Sequence, residues 1–367
     1  MKFKKWVRFL FSFLVIALIA SVIYFGYTTI FSKETPTDNS KYSQKAKSAM
    51  KNINIDLASK EYSKTVEKVL EANAFNEKHA EEYYKIEYKE STSFVTHINQ
   101  LLDKSYSGLE INQIFQKLNT ENIAKLVNQE YVKLDSYYDI KNLNIDNMSR
   151  YEAYRTSRKL DYQVAVTRVN IKLDKEFYTE IETIAENKLN DTLILVNKYN
   201  ALPADYVPSD MVSLSFSPSL KMKSEAAGKL EQLLSAAKLD GGNMVPYSAY
   251  RSYSTQNSLY NNYSARDGSV AADKYSARPG HSEHQTGLAV DIRNVAYNST
   301  VTDSEYAWLK ENAHKYGFII RYTKDSISIT GYQEEPWHLR YIGIEHATKV
   351  KELGLTYDEY YNQYIEI

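Results

Sequence analysis

Gly280-His-Ser-Glu-His-Gln-Thr-Gly-Leu-Ala-Val-Asp-Ile292 decides how the carboxy-terminal half of the chain is read. Leu288 to Ile292 has the apolar run of a buried strand, yet Asp291 stands inside it, and a carboxylate there is costly unless it is paired or bound to a metal. Gly287 permits a tight turn between His284 and that strand, so His284 and Asp291 can converge from a loop and a strand. A second segment, Tyr332-Gln-Glu-Glu-Pro-Trp-His-Leu-Arg-Tyr341, alternates Trp337, Leu339 and Tyr341 with His338 and Arg340, the pattern of a strand with two faces. Pro336 keeps Glu335 out of helical geometry. Each segment alone is weak, because a lone histidine near a strand end is more often structural than a ligand. Together they offer two imidazoles, a carboxylate ligand and a spare Glu335, which is what a catalytic zinc needs: three nitrogen and oxygen ligands, an open position and a nearby base.

Outward from these segments, the spacing opens a unit at Asp191. Thr192 to Val196 reads as a short buried strand, and Met222 to Leu239 as a helix stopped by Gly241-Gly242. Met244 to Ala249 reads as a strand whose early Pro246 suits an edge or a place at the strand's start. Arg251 lies just past its end, and Ser254 caps the next helix, with Gln256 in the first turn. A capping box at Thr302 and Glu305 opens a helix that carries His314 and ends at Gly317. His346 lies in a helix before Gly354, and Tyr357 to Tyr364 forms a docked last helix. His314 and His346 read as surface or packing residues.

The amino-terminal half carries no such chemistry. Lys2, Lys4, Lys5 and Arg8 precede an uncharged run from Phe9 to Ser32. At roughly 1.5 Å per residue, a helix of that length spans a hydrocarbon core of about 30 Å. We expect residues 1–8 in the cytoplasm, an uncleaved anchor over 9–31 and the rest of the chain outside, since basic flanks stay inside. A cleaved signal peptide, the rival, would have a shorter apolar core and a small-x-small site. Residues 32–50, with one proline, read as a linker. Residues 51–190 read as mainly helical: the Lys, Glu, Ala and Tyr mixture of 51–88 favours helix, as do Ile111, Ile114, Phe115 and Leu118 at helical spacing. Asn119 or Thr120 caps a following helix, and Val169, Ile171 and Leu173 alternate as in a strand. His79 and His97 have no acidic cluster around them and read as surface or packing residues.

Composition narrows the classes further. The 367 residues include no cysteine, so thiolate chemistry, disulfides and cysteine-ligated metals are excluded. A net charge of −1 lacks the basic excess of a nucleic-acid-binding chain. The 33 tyrosines against 12 phenylalanines suggest wet surfaces and half-buried helices.

Ser282-Glu-His-Gln-Thr-Gly-Leu-Ala-Val-Asp291 resembles the first zinc motif of the LAS metallopeptidases (lysostaphin, D-Ala-D-Ala carboxypeptidase, hedgehog group). Glu335-Pro-Trp-His338 resembles their second motif. Tyr250-Arg-Ser-Tyr-Ser-Thr-Gln256 resembles the arginine-bearing motif of the VanY/LdcB-type branch. The resemblance covers 192–367, and more weakly the helical part over 100–190. It implies an α+β fold: a zinc peptidase domain over 191–367 with a small antiparallel sheet flanked by helices, which the transmembrane helix and the mainly α-helical region read above precede. It implies zinc on His284, Asp291 and His338 with Glu335 as base, and removal of the terminal D-Ala from peptidoglycan stem peptides. Donor chemistry assigns Arg251 to the developing oxyanion or the substrate carboxylate, with Ser282 and Gln256 as further donors. Trp337 is either core or pocket wall, and His281 has no assigned role. L,D-cleavage of tetrapeptide stems and endopeptidase action remain alternatives. The expected location is the cell membrane of a Gram-positive bacterium, single-pass, with the catalytic domain facing the wall.

Overall fold

The computed structural model describes residues 41–53, 60–296 and 300–366. The anchor expected over 9–31 and the cytoplasmic residues 1–8 lie outside the described residues. Among the described residues no helix is long and apolar enough to cross a membrane. The chain divides into two compact units between Tyr131 and Val132.

The described residues of the first unit form short helices: α1 (Gln44–Met50), α2 (Lys64–Glu71), α3 (Ala80–Lys85), α4 (Phe94–Asp103), α5 (Gly108–Lys117) and α6 (Thr120–Leu126). The linker expected to reach residue 50 gives way earlier, because the Ser43 side chain accepts from the Ala46 amide and opens α1, with Tyr42 buried beside it. Nor is 51–88 one helix. Ser63 caps α2, Asn73 takes a left-handed φ of 52° beyond it, and Asn76 caps a further short turn. Such side-chain hydrogen bonds compete with helix continuation and override the propensity of the lysines and glutamates between them. The capping box at Ser107 and Glu110 and the Asn119 cap set α5 and α6 where their apolar spacing predicted. His79 is buried against Asp103 and His97 is buried, so both are packing residues.

The second unit begins at Val132, ahead of the boundary expected at 190/191, and takes in α7 (Met148–Arg158) and α8 (Tyr162–Asn170). Helix α8 replaces the strand expected around Val169. Asp161 caps it, and buried Ala165, Val166 and Val169 follow helical spacing. The apparent alternation of Val169, Ile171 and Leu173 straddles the helix end, where Lys172 turns to a φ of 65°. Thr167 accepts from Gln363 at 3.0 Å, which ties α8 to the end of the chain.

A hairpin of β1 (Met211–Leu214) and β2 (Ser217–Lys223) leads into α9 (Ser224–Leu239). The order continues through β3 (Met244–Ser248), α10 (Tyr253–Asp267), β4 (Ala289–Asn294), α11 (Asp303–Asn312), β5 (Phe318–Tyr322), β6 (Glu335–Tyr341), α12 (Ile344–Leu353) and α13 (Tyr357–Tyr364). The α+β reading with a small antiparallel sheet agrees with this: four antiparallel strands are ordered β3-β4-β6-β5, with β3 and its Pro246 at an edge. Helix α10 is capped by Ser252 rather than the expected Ser254, since Ser252 is the residue that stays extended before the first helical turn.

Alternation along the strands gives this sheet two unlike faces. Val290, Ile292, Phe318, Leu339 and Tyr341 pack with Leu230, Leu233 and Leu234 of α9 in one apolar core. The other face carries Asp291, Arg321, His338 and Arg340, all buried. Thr192–Val196, expected as a strand, is buried but irregular. The carbonyls of Thr192 and Ile194 accept from Arg340 Nη2 at 3.1 and 2.7 Å, and the Leu193 carbonyl accepts from the Tyr357 hydroxyl at 2.6 Å. Side chains satisfy the carbonyls that a ladder would otherwise satisfy. The tyrosines also depart from expectation. Tyr137, Tyr151, Tyr341 and Tyr357 are fully buried, and their hydroxyls are hydrogen-bonded, as that of Tyr341 is to Glu225 at 2.6 Å.

Candidate active site

The register of β4 and β6 sets Asp291 directly opposite His338. Cross-strand partners on one face are close enough for their side chains to meet, and His338 Nδ1 lies 3.0 Å from Asp291 Oδ1. A 3-10 turn over Glu283–Thr286, just ahead of β4, brings in His284, whose Nε2 lies 3.2 Å from Asp291 Oδ2. Gly287 ends that turn at a φ of 71°, a conformation that L side chains rarely adopt. One ligand atom each from His284, Asp291 and His338 therefore lies within 4.8 Å of the other two. His284 Nδ1 sits 2.7 Å from the Ala249 carbonyl. A carbonyl only accepts, so Nδ1 carries the hydrogen and the Nε2 lone pair is turned to the cluster. Glu335 opens β6, with Oε2 3.9 Å from His338 Nδ1.

Burial separates the two carboxylates electrostatically. For Asp291, burial works to raise the pKa, but His284 and His338 outweigh it and hold the group ionised far below the usual range. For Glu335, burial dominates, Asp291 adds to it against the opposing pull of His338, and the carboxyl is pushed up to about 7. One carboxylate is thus fixed as an anionic ligand and the other is poised to exchange a proton near neutrality. Burial lowers His284. Burial also acts to lower His338, but Asp291 and Glu283 overcome it and push the imidazole up to about 9. A cation competing with that proton would occupy the same lone pair.

The cleft above these groups has a volume of about 320 Å³ and is lined by Tyr247, Arg251, Gln256, Ser282, Tyr322, Glu335 and Trp337, among others. Arg251 donates from Nη2 to Ser248 Oγ at 2.9 Å and lies 3.7 Å from Asp291 Oδ2. Its Nη1 donates to Gln256 Oε1 at 2.8 Å, while Gln256 Nε2 donates to the Ala277 carbonyl at 2.7 Å. Gln256, expected as a donor to substrate, is therefore engaged at both ends and holds Arg251 in place. Ser282 and Trp337 both border the cleft, Trp337 half-buried. His281 is buried and bonded to the Asn197 carbonyl, away from the cluster. Sequence reasoning missed Glu283. Its Oε1 accepts from Arg321 Nε at 2.8 Å and Arg340 Nη1 at 3.1 Å, and its Oε2 lies 3.2 Å from His338 Nε2. An acid inside the motif was visible, but its partners come from β5 and β6 and carry no signal in the sequence. The cleft tyrosines, including Tyr247 and Tyr322, were missed for the same reason.

With this geometry in place, comparison with known proteins is specific. The family model VanY, described as D-alanyl-D-alanine carboxypeptidase, matches residues 219–344. YodJ of Bacillus subtilis (strain 168) is 38% identical over 211 residues, spanning 52% of this chain and 76% of that protein. The chain belongs to the VanY-type carboxypeptidase family. A D-alanyl-D-alanine carboxypeptidase of Enterococcus faecalis (strain ATCC 700802 / V583) is 38% identical over 180 residues, covering 47% of this VanY-type chain and 66% of the relative. Among solved structures, the vancomycin-resistance D,D-pentapeptidase VanY in complex with Zn(II) aligns at 39% identity, over 47% of this chain and 99% of that one, with a TM-score of 0.42. As a VanY-type enzyme the protein is a metallocarboxypeptidase, and its matched segment contains the Asp291–His338 strand pair and the turn that carries His284.

Proposed function

We propose that this enzyme holds one zinc ion on His284 Nε2, Asp291 and His338 Nδ1, and removes the C-terminal D-Ala from peptidoglycan stem peptides. The observation that carries the reading is the β4–β6 register together with the turn ahead of β4, which bring two imidazole nitrogens and a carboxylate together beside a proton-exchanging Glu335. Two nitrogens and one oxygen fit the donor set of a catalytic zinc site that keeps a position open. Bound there, zinc supplies Lewis acidity toward a water and the scissile carbonyl.

The chain's own residues do the rest. Glu335 takes the proton of the attacking water and returns it to the leaving amine, which suits a carboxyl poised near neutral pH. Arg251, fixed by Ser248 and Gln256, offers its guanidinium to the substrate's free carboxylate or to the charge developing on the carbonyl oxygen. Ser282 and Trp337 border the same cleft and contact the peptide's end. The uncharged run Phe9 to Ser32 behind its basic cluster supports a single-pass anchor, with the catalytic unit outside the cell membrane where the wall polymer lies.

The test uses the full chain, loaded with zinc, on a pentapeptide stem, a tetrapeptide stem and a C-terminally amidated pentapeptide, with released D-Ala identified by mass. D-Ala is expected from the free-acid pentapeptide, and no D-alaninamide, the product that cleavage would release, from the amide. No release from either free-acid stem contradicts the carboxypeptidase reading, and equal cleavage of the amide contradicts a carboxylate clamp at Arg251.

A further inference from the structure

The turn that delivers His284 also delivers Glu283, and the two neighbours reach opposite sides of the same imidazole. The His284 ring meets the His338 ring edge-on at 5.0 Å, on the side of the metal-ligand cluster. Glu283 reaches the other ring nitrogen, with Oε2 3.2 Å from His338 Nε2. Its carboxylate is fully buried, and its second oxygen is pinned by two guanidinium groups: Arg321 Nε at 2.8 Å and Arg340 Nη1 at 3.1 Å. Neither arginine depends on Glu283 alone. Arg321 also donates to Asp358 of α13 at 2.8 Å, and Arg340 donates to the backbone carbonyls of Thr192, Ile194 and Tyr341. The two arginines come from β5 and β6 and the carboxylate from the turn before β4, so its position is fixed by three separate elements of the second unit.

We propose that Glu283 is a positioning residue: it accepts the Nε2 hydrogen of His338 and thereby fixes the tautomer and ring angle that present Nδ1 to the metal position. An imidazole has one hydrogen when neutral, and a partner that can only accept at Nε2 leaves the lone pair at Nδ1. Outer carboxylates of this kind orient a ligating histidine and raise its basicity, and their loss typically weakens metal binding by about 10- to 100-fold. The alternative is that Glu283 merely neutralises Arg321 and Arg340. The proposal rests on His338 being a metal ligand, as argued above.

The experiment measures the zinc dissociation constant by competition with a chromophoric chelator, the melting temperature of the metal-free protein, and kcat and KM at saturating zinc. It uses the full chain as wild type and as Glu283→Gln, Glu283→Asp, Asp358→Asn and His338→Ala. Glu283→Gln is expected to weaken zinc at least tenfold and to lower kcat with KM within twofold. Asp358→Asn removes a different charge partner of Arg321, and is expected to lower the melting temperature while leaving the zinc constant within twofold. If Glu283→Gln does not accumulate as folded protein, Glu283→Asp decides: it keeps the charge, withdraws the carboxylate by one methylene, and should weaken zinc by several-fold with little loss of melting temperature. Wild-type zinc affinity in the folded Glu283 variant overturns the proposal, as does an Asp358→Asn variant that loses zinc as severely. Unchanged zinc binding in His338→Ala would instead overturn the metal-site reading, so the two failures are distinguishable.

Discussion

The chemistry of this site comes from giving similar residues dissimilar surroundings. Asp291 and Glu335 are both carboxyls beside His338, Asp291 buried and Glu335 partly so, yet the imidazoles hold Asp291 ionised while desolvation pushes Glu335 up to about 7. The raised Glu335 has a consequence for stability. A carboxyl whose folded pKa exceeds its ordinary 4.5 contributes most when protonated, so its contribution is present below that value and is lost as pH rises through about 7. At about 1.4 kcal/mol per unit, Glu335→Gln should stabilise the metal-free protein above pH 7 by at most about 3 kcal/mol, and change little near pH 4. Thermal melts of metal-free wild type and variant at the two pH values check this. Arg251→Lys keeps the charge but loses the fork, and is expected to lower kcat/KM at least tenfold, read from steady-state rates on the pentapeptide. At this scale the sequence was legible where one residue violated its own surroundings, as Asp291 does in an apolar strand. Glu283 was not, because a charged residue in a polar turn violates nothing until Arg321 and Arg340 arrive from elsewhere.

Elements were legible where a cap or an alternating pattern acts locally. The Thr302–Glu305 capping box, the edge strand with Pro246 and the strand over Trp337–Tyr341 all stand where spacing put them. They failed where long-range partners replace local ones. Thr192–Val196 looks like a strand because it is apolar, but its carbonyls are taken by Arg340 and Tyr357, from the last strand and the last helix. Helix α8 was misread because an alternation of three residues crossed a helix end. The turn that positions His284 depends on Gly287 at positive φ, where an added Cβ would meet Lys223 at an ordinary 3.4 Å. Gly287→Ala should therefore cost roughly 1 kcal/mol of conformational strain rather than a clash. It should lower zinc affinity along with the melting temperature, as measured by chelator competition and calorimetry.

Across the whole molecule, the second unit is closed by its own end. Asp358 in α13 is buried, donates nothing, and accepts from Arg321 and from Asn197 at 2.8 Å each. Tyr357 and Tyr360 of the same helix are buried with Leu195, Ile319 and Val350. Truncation after Thr356 should therefore take the acceptor from Arg321 Nη1 and from the Asn197 amide and expose an apolar face. The expected outcome is loss of cooperative melting in the second unit, followed by near-UV circular dichroism. These scales meet in one site: a strand register and the turn ahead of it assemble the metal ligands, and the partly buried Glu335 beside them moves the proton. This is tested most directly by turnover on the pentapeptide stem for wild type and Glu335→Gln at equal measured zinc content. One bound zinc is expected in each, with D-Ala release by the wild type and a loss of at least about a hundredfold in the variant. Undiminished release by zinc-loaded Glu335→Gln would contradict it.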